Sequence, residues 1–158
     1  MIETPLLVFL NTHGVVVLVI FIFLYEVLIV KNTEVALHIL LSTISVIVFS
    51  LVLKELFLVP RPFLADGTDA LAGLSYYSSL PSIHAGIAFA LATTTTLHQK
   101  KLGVLLFTIA ALISVGRVMA YVHYPIDIIL GMLIGVLTGV IFNQIHIKFR
   151  KSKRVNPV

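Results

Sequence analysis

Cysteine is absent from this chain, which excludes a disulfide framework, a thiol nucleophile and a Cys-ligated zinc site. Charge is scarce. Only 11% of the 158 residues are Asp, Glu, Lys or Arg, where soluble domains carry roughly a quarter. Acid is scarcer still: the seven carboxylates are Glu3, Glu26, Glu34, Glu55, Asp66, Asp69 and Asp127. They are too scattered for a two-metal carboxylate cluster, and there is no His-Glu zinc helix motif. Asp66 and Asp69 form the one acidic pair, in a loop with Gly67. The reading is therefore metal-free and cofactor-free.

What the chain has instead is apolar length. It is 59% hydrophobic, with a mean hydropathy of +1.09. A membrane-crossing helix needs about 20 mostly apolar residues. Five runs qualify, at about 6–30, 35–53, 82–98, 102–122 and 126–146. The fold class is thus an all-α polytopic membrane protein, one domain over residues 1–158. The first run reads as a span, not a signal peptide, because "MIETP" has no basic start and the apolar stretch is too long.

The net charge of +4 reads as topology, not as a nucleic-acid surface. Cytoplasmic loops are rich in Lys and Arg. With five spans, Lys31, Lys100, Lys101, Lys148, Arg150, Lys151, Lys153 and Arg154 fall on one side, and Lys54, Arg61 and Arg117 on the other. This predicts an outer N-terminus and a cytoplasmic C-terminus. Parity also brings Lys54, Arg61, Ser82, His84, Arg117, His123 and Asp127 to the outer surface, although they are far apart in sequence. If span 102–122 stays helical, Arg117 sits roughly 9 Å inward of His123.

Three local patterns carry chemistry. Lys54 is followed after six residues by Arg61-Pro62; "PSIH" runs from Pro81 to His84; "GRVMAYVHYPID" holds Arg117, His123 and Asp127. Lys gives a point charge and Arg a planar fork that matches phosphate oxygens. Ser82 stands where a helix begins, able to cap it or to help bind phosphate there. Of two histidines, one can attack phosphorus and the other can protonate the leaving oxygen. Asp127, four residues after His123, suits the carboxylate that fixes a nucleophilic imidazole's tautomer. Pro125 is placed to start the last helix.

Together these patterns resemble the type 2 phosphatidic acid phosphatase (PAP2) superfamily, with its Lys-x6-Arg-Pro, Pro-Ser-Gly-His and Ser-Arg-x5-His-x3-Asp signature. The resemblance covers residues 54–127, in order and with matching internal spacing. Ile83 stands where the family has glycine and Gly116 where it has serine. The resemblance implies a PAP2-like helical bundle and a metal-independent lipid phosphatase working through a phosphohistidine. His123 would be the nucleophile, Asp127 its orienting partner and His84 the acid, then the base. Lys54, Arg61, Ser82 and Arg117 would hold phosphate. The substrate it favours is an isoprenyl diphosphate such as undecaprenyl diphosphate. Phosphatidic acid or phosphatidylglycerol phosphate fit the residues nearly as well. An anion transporter and a non-catalytic lipid-binding protein are the competing classes.

Other features have plainer readings. Gly131, Gly135 and Gly139 predict a close-packed helix face. Thr93–Thr96 predict back-bonding to helix carbonyls. His13, His38, His98 and His146 read as solvated or hydrogen-bonded. Glu26 reads as an inner-interface residue. Tyr76 and Tyr77 either join an aromatic belt or line the headgroup site.

Overall fold

The structure is a computed structural model, which describes residues 5–67 and 78–155. Among these residues it is all-helical. Helix α1 (Pro5–Leu24) runs into a π-helical turn, Tyr25–Val30. It is followed by α2 (Thr33–Phe57), the short α3 (Pro62–Ala65), α4 (Ile83–His98), α5 (Lys100–Met119) and α6 (Pro125–Val155). Asp69, Tyr76 and Tyr77 lie outside the described residues.

Local chemistry sets the breaks. Lys31 at φ 57° ends the π-turn. Asn32 then caps α2, its Oδ1 accepting from the Val35 amide at 3.3 Å. Leu58 at φ 46° closes α2. Pro62 occupies the first turn of α3 and Pro125 starts α6, positions where the missing N–H is not needed.

The centre of the bundle is α4. Every residue from Ala85 through Thr95 is buried, packed among α2, α5 and α6. Its run of Ala, Gly and Thr lets those neighbours come close. On α6, a Cβ at Gly131 would collide with the Ser82 carbonyl oxygen, and one at Gly135 with that of Gly86. Backbone cannot yield, so these two positions require glycine. The expected packing face at Gly131, Gly135 and Gly139 is thus the seam between α6 and α4.

The five-span expectation needs one correction. Among the described residues, four segments are long and apolar enough to cross a membrane: Thr12–Val30, Thr33–Ala65, Lys100–Met119 and Pro125–Ile145. The run at 82–98 is a 16-residue helix, about 24 Å long at 1.5 Å per residue. That is short of a roughly 30 Å hydrocarbon core. It can be short because protein, not lipid, surrounds it. The order of ends is unchanged, since the Ser82 amide donates to the Asp127 carbonyl at 3.0 Å. The start of α4 therefore meets the start of α6.

The outer faces of α1, α2, α5 and α6 are apolar. Phe21, Ile29, Phe49, Leu112 and Leu133 are all exposed on them. An apolar surface of this extent is that of a multi-pass membrane protein.

Candidate active site

The end of the bundle where α2 and α5 finish and α4 and α6 begin holds most of the buried charge. Lys54, in the last turn of α2, is 5% exposed; Arg61 is 7%, Arg117 2%, His123 3% and Asp127 0%. Among the described residues, three basic side chains are buried here with one carboxylate. An excess of buried charge of one sign is costly, and this positive excess suits an anionic ligand.

Each side chain is positioned by its element. Arg61 precedes Pro62 in extended conformation, which the proline enforces, and its Nη1 donates to the Val122 carbonyl at 3.0 Å. Lys54 Nζ donates to the Ser78 carbonyl. Ser78 Oγ in turn accepts from the Val59 amide at 2.9 Å. Arg117 sits in the last turn of α5. That helix ends at Met119 and Tyr121 takes φ 60°. The expectation of a helix continuing to 122 therefore fails, and with it the 9 Å offset of Arg117 from His123. A turn brings them together instead: the Val122 amide donates to the Arg117 carbonyl at 3.3 Å.

The expected His123–Asp127 partnership is present. His123 Nδ1 lies 3.2 Å from Asp127 Oδ2, and the Tyr124 amide donates to the same oxygen at 2.9 Å. Asp127 is thereby fixed from two sides. His123 lies in the turn between α5 and α6. Burial pushes its imidazole down to about 4; the Asp127 hydrogen bond opposes this, while Arg117, Arg61 and Lys54 add to it. The ring is neutral near pH 7. Its Nδ1–H points at Asp127, which leaves the Nε2 lone pair for attack.

Ser82 is the N-cap of α4, its Oγ accepting from the Ala85 amide at 3.5 Å. Of its two expected roles, capping is the one seen. His84, half-buried in the first turn of α4, lies close enough to feel the charges of Arg117 and Arg61 and to interact with His123. Its Nε2 is 3.1 Å from the carbonyl oxygen of Thr12 on α1. All seven expected site residues thus gather at one end of the bundle.

Sequence reasoning missed the carbonyls of Ser78, Val122 and Thr12 and the Tyr124 amide. A backbone group has no residue type to signal it. Asp66 was read as half of an acidic pair; its carboxylate instead accepts from the Tyr121 hydroxyl. No group of three or more His, Asp or Glu suited to a metal occurs among the described residues.

Away from this end, Glu26 stands beside the turn between α4 and α5. It is fully buried and its Oε1 accepts from Gln99 Nε2 at 2.5 Å. Of the threonines, Thr96 back-bonds to the Ala92 carbonyl at 2.7 Å, whereas Thr94 pairs with Ser42 across to α2 at 3.4 Å. His38 packs against His98, ring centroids 5.6 Å apart.

Comparison with known proteins gives a consistent picture. The family model of the PAP2 superfamily matches residues 35–151. The chain is 26% identical over 129 residues to undecaprenyl-diphosphatase BcrC of Bacillus subtilis (strain 168), a match covering 80% of this chain and 64% of that protein. The chain thus spans less than two thirds of that relative's length. It is 36% identical over 62 residues to the bacitracin transport permease protein BcrC of Bacillus licheniformis, covering 39% of this chain and 30% of that one. Among solved structures, Aquifex aeolicus LpxE superposes with a TM-score of 0.74 at 29% identity, over 90% of this chain and 88% of the other. A PAP2-type phosphatidylglycerolphosphate phosphatase from Bacillus subtilis shares the fold, with a TM-score of 0.66 at 22% identity over 93% of this chain and 80% of the other.

Proposed function

This chain belongs to the PAP2 superfamily, and we propose that it is a metal-independent lipid phosphatase that removes the terminal phosphate of an isoprenyl diphosphate. The observation that carries this reading is the surplus of buried cations around a neutral, carboxylate-held imidazole. Lys54, Arg61 and Arg117 neutralise the phosphoryl oxygens. His123 Nε2 attacks the terminal phosphorus, forming the N–P bond as the bridging P–O bond breaks and the isoprenyl monophosphate leaves. His84 donates a proton to the departing oxygen. Water then attacks the phosphohistidine while His84 takes its proton, and inorganic phosphate leaves. Asp127 keeps the Nδ1 proton on His123 throughout and stabilises the charge that develops on the ring.

The isoprenyl diphosphate is favoured by the likeness to undecaprenyl-diphosphatase BcrC. The charge asymmetry of the loops favours an active site on the outer face. A phosphate-release panel tests the reading: undecaprenyl diphosphate, phosphatidic acid and phosphatidylglycerol phosphate, each with chelator present. The expected result is fastest release from the diphosphate. Anion flux in vesicles with no release from any lipid would replace the phosphatase by a transporter. For orientation, a membrane-impermeant thiol reagent is expected to label Ala65→Cys and spare Lys101→Cys in intact cells. The reverse pattern puts the site in the cytoplasm.

A further inference from the structure

We propose that α1 contributes a positioning group to this site: the main-chain carbonyl of Thr12 holds His84 as the Nε2–H tautomer, so that Nδ1 is the nitrogen that exchanges protons during turnover. The inference rests on the acid–base role proposed above for His84.

A carbonyl oxygen can only accept a hydrogen bond. With His84 Nε2 3.1 Å from the Thr12 oxygen, the ring hydrogen on that side must be on Nε2. This holds for the neutral ring and for the imidazolium alike. The mobile proton is then the one on Nδ1. His123 is arranged the other way round. Its Nδ1 is held by Asp127, which leaves Nε2 to attack. The two imidazoles are pinned by opposite nitrogens.

The placement of Thr12 follows from helix geometry. Val15, one turn later on the same face, is 2% exposed and packs in one core cluster with Ala85 and Ala88 of α4. Ile22 and Glu26 continue that face and are buried too. Seating Val15 against the first turns of α4 brings the Thr12 carbonyl to His84. Thr12 also lies outside the stretch of residues 35–151 that the family model matches, so this contact comes from a part of the chain the family signature does not describe.

The proton balance is complete. In the first step the His84 imidazolium gives its Nδ1 proton to the bridging oxygen of the departing isoprenyl monophosphate as that oxygen's bond to the terminal phosphorus breaks. In the second, neutral His84 accepts a proton at Nδ1 from the water whose oxygen bonds phosphorus. The starting imidazolium is restored, and Nε2–H stays on Thr12 throughout.

Two measurements on the full chain in detergent or lipid test this. In 15N spectra of histidine-labelled protein, with the His84 signals assigned by their loss in His84→Asn, the neutral ring is expected as Nε2–H. The Nδ1–H tautomer would overturn the proposal whether or not the protein is active. Second, Nε2-methylhistidine is installed at position 84 or 123 and phosphate release from undecaprenyl diphosphate is followed. At 84 turnover is expected to fall, because the methyl group removes the Nε2–H that Thr12 holds, yet to stay well above that of His84→Ala, since loss of an acid–base group costs about 10²–10⁴-fold; at 123 it is expected to vanish. Loss at 84 as deep as in His84→Ala, with a tautomer reading that places the proton on Nδ1, sinks the idea. If the methyl group displaces α1, the spectrum of the unmodified protein decides alone. An inactive wild type refutes the phosphatase reading itself.

Discussion

Both ends of this bundle bury polar groups, but they do so differently. At one end, among the described residues, Lys54, Arg61 and Arg117 are buried with one carboxylate, Asp127. At the other, Glu26 meets Gln99, His38 meets His98 and Ser42 meets Thr94. The second set consists of short pairwise contacts that tie α1, α2 and α4 together near the α4–α5 turn. No comparable excess of buried charge accompanies it among the described residues. Burial of polar groups is thus common to both ends. What separates a site from a structural clasp is an excess of buried charge of one sign.

The comparison can be broken by experiment. The largest effect is expected from His123→Ala, which should lower turnover by about 10⁶-fold, as loss of a nucleophile does in a concerted catalytic unit. Equal activity of wild type and variant would remove His123 from the chemistry. Asp127→Asn should cost about 10⁴-fold, because an amide selects the wrong tautomer of His123. Normal yield and an unchanged melting temperature should accompany that loss; unchanged turnover would leave Asp127 a mere helix-start residue.

A pH profile sharpens the same point. Burial, seconded by Arg117, Arg61 and Lys54, disfavours the imidazolium of His123 and sets its titration near 4 rather than 6.5. Attack needs the neutral ring. The contribution of His123 to kcat/KM should therefore persist below pH 6.5 and be lost only as pH falls through about 4. Titration of His123 by NMR in the free protein checks this, and a midpoint near 6.5 would contradict it.

The smallest effect belongs to the opposite end. Glu26→Gln keeps an oxygen for Gln99 and should leave turnover within about twofold and stability within roughly 1 kcal/mol. Glu26→Ala, which removes the acceptor of the half-buried Gln99 amide, should cost about 0.5–1.5 kcal/mol in a denaturation experiment. A collapse of turnover in Glu26→Gln would mean that both ends serve catalysis.

Much of this was legible in the sequence because charge in an apolar chain is conspicuous. Lys54, Arg61, His84, Arg117, His123 and Asp127 stand out against their neighbours, and counting spans was enough to put them on one side. The His123–Asp127 pair and the helix start at Pro125 followed from spacing alone. Three things did not. Hydropathy reports how apolar a run is, not what surrounds it, so α4 looked like one more full span when it is a shorter helix enclosed by other helices. The apolar run through Val122 hid the end of α5 at Met119, where tertiary contacts override a continuous helical pattern. Glu26, one turn from Lys31 in sequence, gave no hint that its partner is Gln99, 73 residues away.

The glycine seam has a consequence for accuracy. The two catalytic candidates stand at the starts of neighbouring elements, His84 on α4 and His123 just before α6, and Gly131 and Gly135 fix how those elements mesh. One residue of slip along the seam would shift His123 past His84 by about 1.5 Å. Misplacement on the order of 1 Å can cost 10²-fold in rate. The alignment tolerance of the reaction is therefore set by hydrogen atoms standing where side chains would otherwise begin, about one and two turns of α6 beyond Asp127.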